Sequence, residues 1–140
     1  MDSPRIVVAD DLPEIRDKVA QLLRDDFDVV GSAQNGEEAI EAAAALDADL
    51  LILDISMPGL NGIQVAARLR EWGCRAKVIF LTIHEDQDYL EAAFSVGAQG
   101  YVFKSRLATD LIPAAREVLQ GQRFSSFSAV AGATTLRNHQ

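Results

Sequence analysis

The chain has a single cysteine, so no intrachain disulfide can form. No motif around Cys74 marks it as a catalytic thiol, and it reads as a small residue at a helix end. Basic residues are also scarce: 13 Lys and Arg stand against 21 Asp and Glu, a formal net charge of −8. Binding nucleic acid through its phosphates needs clustered Lys and Arg, so direct nucleic-acid binding by this segment is not expected. No apolar run is long enough to span a bilayer, and no basic start leads into an apolar stretch of the signal-peptide kind. The expectation is a cytoplasmic protein without a membrane role. What is present is an ordinary globular composition, 49% apolar and 24% charged over 140 residues, which suits one core.

The stretch Leu50-Leu51-Ile52-Leu53-Asp54 organises the rest. An unbroken aliphatic run ended by one carboxylate and then by Pro58, Gly59, Asn61 and Gly62 fits a strand buried on both faces of a parallel sheet. Similar runs occur at Arg5–Ala9, at Val29-Val30 with Ala33, at Lys77–Leu81 and at Gly100–Phe103. Helical spacing falls between them. Leu12, Ile15, Val19, Leu22 and Leu23 form one apolar face, with Pro13 near the first turn, where a missing N–H costs little. Asn35-Gly36 has the form of a hairpin turn, but Glu37–Leu46 is Ala- and Glu-rich without alternation and predicts a helix. Further helices are predicted over Gly62–Trp72 (Ile63, Ala66, Ala67 and Leu69 inward), Asp86–Val96 and Arg106–Gln120. Gly73 and Gly97 end the first two of these. The last carries Leu107, Leu111, Ile112, Ala115, Val118 and Leu119 inward and places Pro113 near its first turn or at a mild kink.

Five β–α units in strict alternation predict an α/β fold. It is a flavodoxin-like, doubly wound, five-stranded parallel sheet of order 2-1-3-4-5 with five helices. The domain is expected over residues 1–121. Residues 122–140, rich in Ser, Ala, Gly and Thr, read as a poorly anchored, partly helical C-terminal tail or the start of a linker.

In that order the strand ends carry Asp10-Asp11, Asp54, Thr82 and Lys104 to one edge of the sheet. Carboxylates a few ångströms apart repel by about 4 kcal/mol per pair at an effective dielectric near 20 and need a cation. Hard oxygen donors suit Mg²⁺. With Lys104 supplying positive charge and Thr82 a hydroxyl, Asp54 stands where it could accept a phosphoryl group by in-line attack.

The set Asp10-Asp11, Asp54, Thr82 and Lys104, with Met57-Pro58-Gly59 and Gly62, resembles the receiver domain of bacterial two-component response regulators over about Arg5 to Gln120. Thr82-Ile83-His84-Glu85 and Gly100-Tyr101-Val102-Phe103-Lys104-Ser105 further resemble receivers of the NarL/FixJ type, which usually precede a helix-turn-helix DNA-binding domain. The resemblance implies Asp54 as phosphoacceptor from a histidine kinase or a small acyl phosphate. It implies Asp11 and Asp54 as direct Mg²⁺ ligands, Asp10 acting through water, and the Ser56 backbone carbonyl as a further ligand. Thr82 and Lys104 would contact the phosphoryl oxygens. Tyr101 would be the switch aromatic, turning inward with Thr82. It implies no enzyme beyond self-phosphorylation and slow self-dephosphorylation, a possible homodimer, and an output DNA-binding domain if the full-length chain is longer.

The chain departs from the family pattern at several positions. Ser105 follows Lys104 where many receivers have a cis proline, which leaves the isomer of that bond open. Ile83 is larger than usual and is expected to narrow access to Asp54. Three other readings compete. One is an interaction module whose site goes unused. A haloacid-dehalogenase-type phosphatase is another, although Ser56 stands where it would need a second Asp. A flavodoxin-like cofactor binder is the third, although Asp10-Asp11 would repel its phosphate. Taken alone, Tyr101 reads as an edge-strand aromatic, His84 as a solvated loop residue rather than a metal ligand, and Trp72 as packing at the end of its helix. Arg68, Arg70 and Glu71 read as a solvated face, and His139 in the tail carries no signal.

Overall fold

A computed structural model describes residues 3–130. The strands are β1 (Arg5–Ala9), β2 (Asp28–Ala33), β3 (Leu50–Asp54), β4 (Lys77–Thr82), β5 (Gly100–Phe103) and β6 (Phe124–Ser125). The helices are α1 (Pro13–Leu23), α2 (Gly36–Ala45), α3 (Gly62–Glu71), α4 (Gln87–Ser95) and α5 (Leu107–Leu119), with a 3₁₀ turn over Lys104–Arg106. The sheet runs β2-β1-β3-β4-β5-β6 with every pair parallel, so the doubly wound order expected for the first five strands is found.

The unbroken apolar runs have a simple cause. On β3, Leu51 and Leu53 pack toward α2 and α3, while Leu50 and Ile52 pack toward α1 and α5. Both faces are covered, so neither can be polar. Each fully buried Leu or Ile contributes about 1.5–3 kcal/mol. Asn35 begins a helix rather than a hairpin, because its side chain accepts from the Glu38 N–H at 2.9 Å and caps α2. Asn61 and Gln64 form a reciprocal capping box at the start of α3. Gly73 at φ 74° and Gly97 at φ 93° turn the chain out of α3 and α4.

Five expectations are corrected. Val65, left out of the predicted α3 face, is fully buried, while Ile63 and Ala67 are only partly so. Leu12 stands just outside α1, is 46% exposed, and does not join its apolar face. Trp72 is 66% exposed, because the turn at Gly73 leaves it at the rim. Pro113 lies in the second turn of α5 and is exposed, on the side where an unpaired carbonyl meets water. The stretch after Gln122 is anchored at its start. Phe124 and Ser125 pair with Gly100 and Tyr101, and helical residues follow from Ser126 to Val130. The rest of the predicted tail, with His139, lies outside the described residues.

Gly62 sets how closely α3 approaches the end of β3. A Cβ there would lie 2.6 Å from the Asp54 carbonyl oxygen and 2.8 Å from Ile55 Cα, backbone atoms that cannot swing aside. Gly62→Ala should therefore cost about 1–3 kcal/mol. Urea unfolding should show this as a lower midpoint with an unchanged slope.

Candidate functional site

Four strand ends deliver the site. Asp10 and Asp11 leave β1, Asp54 and Thr82 close β3 and β4, and Lys104 opens the 3₁₀ turn after β5. Because β1, β3, β4 and β5 are consecutive in the sheet, these ends lie side by side. Asp10, Asp54 and Thr82 are buried, and Asp11 stands exposed at the rim. One carboxylate oxygen from each of Asp10, Asp11 and Asp54 lies within 4.8 Å of the others. Lys104 Nζ sits 2.9 Å from Asp10 Oδ2 and 3.4 Å from Asp54 Oδ2.

The electrostatics follow from that packing. Burial has the largest effect on the Asp54 carboxyl and pushes its pKa up. The Ser56 N–H, donating to Oδ1 at 3.1 Å, pulls it down, Asp10 pushes it up, Lys104 pulls it down, and Asp11 pushes it up. The balance leaves it above its ordinary value. Asp10 Oδ1 accepts from the Leu12 N–H at 2.9 Å. Its Oδ2 is buried and receives no aligned hydrogen bond, since the Lys104 ammonium is close but off the line of one. Three clustered carboxylates with a buried oxygen short of a partner suit a small divalent cation that takes hard oxygen ligands.

The remaining predicted residues surround this cluster. Ser56 is exposed at the rim, and its hydroxyl is 3.3 Å from His84 Nε2. Thr82 Oγ1 accepts from the His84 N–H at 2.8 Å. Tyr101 does not reach the carboxylates. It is fully buried, and its hydroxyl donates to the His84 carbonyl at 3.1 Å. Burial raises the Tyr101 pKa, which keeps the phenol a donor. Ile83 is 73% exposed, so its bulk lies toward solvent. Among the described residues there is no cis peptide bond, so Lys104-Ser105 is trans.

His84 is the residue that sequence reasoning underrated. It is no free loop side chain. Its imidazole stacks on Tyr89 at 4.1 Å, and its backbone is held on both sides, by Thr82 at the N–H and by Tyr101 at the carbonyl. The second role is carried by main-chain atoms, which leave no mark in side-chain pattern. The histidine-to-tyrosine spacing at the start of α4 was the only available signal.

A doubly wound parallel sheet with an acidic cluster, a lysine and a hydroxyl at its carboxyl edge defines a class of α/β signalling modules. Comparison with known proteins identifies which one. The family profile of the response regulator receiver domain matches residues 6–116. The nitrate/nitrite response regulator protein NarL of Escherichia coli K12 is 36% identical over 119 residues, which is 84% of this chain and 55% of NarL. The uncharacterized transcriptional regulatory protein YvfU of Bacillus subtilis is 39% identical over 124 residues, 87% of this chain and 62% of YvfU. A LuxR-family two-component response regulator from Aurantimonas superposes with a TM-score of 0.86 at 28% identity, covering 99% of this chain and 100% of that one. The isolated receiver domain of RcsB from Salmonella enterica, solved in the presence of phosphomimetic BeF₃⁻, gives 0.83 at 27% identity over 93% and 98%. The chain belongs to the response regulator receiver domain family of two-component systems. It spans 55–62% of the length of NarL and YvfU. Among the described residues, no helix is long and apolar enough to cross a membrane.

The raised Asp54 pKa has a consequence for stability. The folded state favours the protonated carboxyl, so the stability it contributes is complete below the unfolded pKa and is lost as pH rises through the folded one. Asp54→Asn, which cannot ionise, should unfold at a higher urea midpoint than wild type at neutral pH. The gap should narrow as pH falls through the raised folded pKa and close below about 4, where Asp54 is protonated in both states.

Proposed function

We propose that this domain is a phosphorylation-driven switch that accepts a phosphoryl group on Asp54. The observation that supports this best is the placement of Asp54, nearly buried, among Asp10, Asp11 and Lys104 at the carboxyl edge of the sheet. Asp11 and Asp54 would hold Mg²⁺ directly and Asp10 through water, with the Ser56 carbonyl as a further ligand. When bound, the ion neutralises charge developing on the phosphoryl oxygens.

The chain's own groups would do the rest. An Asp54 carboxylate oxygen attacks phosphorus in line. The bond from phosphorus to the histidine nitrogen of a sensor kinase, or to the acyl oxygen of a small phosphodonor, breaks, and its electron pair leaves with that atom. Lys104 stays over the oxygens as a fixed positive charge. Thr82 can donate its O–H to the phosphoryl group while Oγ1 keeps the His84 N–H. The shift of Thr82 then passes through the His84 backbone to the hydroxyl of Tyr101, which is already inward in this structure. The β4–α4 loop and the α4–β5–α5 surface change their partner preference accordingly.

In the cytoplasm, the partners of this domain would be a sensor histidine kinase, a DNA-binding output domain on a longer chain, and a second copy of the receiver. NarL and YvfU are a response regulator and a transcriptional regulatory protein by name, which supports an output in transcription. The receiver itself touches neither DNA nor membrane. Its only catalysis is its own phosphorylation and slow dephosphorylation.

Incubation with acetyl phosphate and Mg²⁺ should add one phosphoryl group by intact mass. Chelation of the metal should abolish the gain. Asp54→Asn should show none, and persistent labelling of that variant would remove Asp54 from the role.

A further inference from the structure

Lys104 has a long side chain and sits on a short turn, yet its ammonium must stay over Asp10 and Asp54. The turn contains Ser105 and no proline. Its backbone is fixed in another way. The Phe103 N–H donates to Ser126 Oγ at 3.0 Å, and the Ser126 hydroxyl donates to Asp110 Oδ2 at 2.7 Å. The same Asp110 carboxylate takes Arg106 through Nε at 2.7 Å and Nη2 at 3.2 Å. Phe103 and Arg106 flank the Lys104-Ser105 pair, so both ends of the turn are tied to one buried carboxylate. Asp110 is 3% exposed and Ser126 is completely buried. Both lie outside the acidic cluster, and nothing in the phosphoryl chemistry uses them directly. A fork-to-carboxylate pair joined to a buried hydroxyl is a stiff arrangement, because each donor has a fixed direction.

We propose that Ser126, Asp110 and Arg106 are positioning residues for Lys104. The segment beginning at Phe124 thereby completes the site rather than merely leaving the domain. This rests on the phosphoacceptor reading of Asp54. Loosening the network lets the ammonium wander from the carboxylates. Two effects of opposite sign follow. Transfer slows because the charge over the phosphoryl oxygens is no longer fixed. Metal binding tightens because the ammonium competes with the ion for the same oxygens.

The test uses the whole 140-residue chain. Ser126→Ala removes the hydroxyl without adding bulk, and Asp110→Asn keeps the shape while losing the charge that holds the Arg106 fork. Urea unfolding checks that each variant is folded. If Ser126→Ala is not, the decision falls to Asp110→Asn. Labelling by acetyl phosphate at saturating Mg²⁺ should slow about tenfold in either variant. Calorimetric titration with Mg²⁺ alone should give a Kd about threefold lower than wild type. Lys104→Ala should show both changes, and adding Ser126→Ala or Asp110→Asn to it should change neither further, since the network acts through Lys104. An unlabelled wild type would overturn the phosphoacceptor reading itself. A labelled wild type matched in rate and Kd by the folded variants would overturn the positioning role alone. So would weaker Mg²⁺ binding, or a slowing that persists in full without Lys104, since either marks a generally loosened site.

Discussion

Two buried carboxylates with a third at the rim repel one another, and the rest of the site answers that repulsion. With an oxygen of each of Asp10, Asp11 and Asp54 within 4.8 Å of the others, each ionised pair costs about 3–4 kcal/mol at an effective dielectric near 20. One ammonium cannot cancel three negative charges. Lys104 lies closer to Asp10 than to Asp54, and Asp10 Oδ2 still lacks an aligned donor. The cluster is therefore short of positive charge by construction, and burial, with Asp10 beside it, holds the Asp54 pKa above its ordinary value. A protein that needed only stability would replace such a group with apolar residues. Here the fold tolerates the cost at one edge because the sheet beneath it is covered on both faces and supplies the stability elsewhere.

The same edge carries a route away from the carboxylates. Thr82 and Tyr101 both hold the His84 backbone, Thr82 at its N–H and Tyr101 at its carbonyl. A displacement of the Thr82 hydroxyl therefore acts on the same residue whose carbonyl Tyr101 grips. The Tyr101 ring stacks on Phe127 at 6.0 Å, and Phe127 meets Phe103 edge-on at 4.8 Å. These buried contacts are not continuously deformable. In the proposed switch, a small shift at the acceptor has a rigid path to the segment that leaves the domain.

Much of this was legible in the sequence for a definite reason. Leu50–Leu53 and Lys77–Leu81 are unbroken because both faces of the sheet are covered, and their polar terminators fall at the one edge where α/β sheets place ligands. What was missed depends on packing geometry rather than residue type. Val65 is buried because Gly36 leaves room for it: a Cβ on that glycine would stand 2.8 Å from Val65 Cγ2. Nothing in the local pattern of α3 says so. Trp72 reads as packing at the end of its helix, yet it stands exposed just where Gly73 turns the chain away. His84 acts through its N–H and C=O, and composition does not register main-chain roles.

The residues after Gln122 make the point most clearly. Their composition, rich in Ser and Ala, argues for a weak tail, and a strand of two residues is too short to show a period. Their placement depends on what β5 lacks without them. β5 has four residues, and its outer edge would leave backbone donors and acceptors open beside the fully buried Tyr101. β6 closes that edge, Phe127 covers the aromatic pair behind it, and Ser126 enters the network around the Lys104 turn. Arg123 adds a cation–π contact to Phe94 on α4 at 5.0 Å. A stretch that touches α4, β5 and α5 at once is tied to every element of the surface through which a receiver would signal. Whatever follows it in a longer protein is thus joined to the site by packing as well as by the backbone.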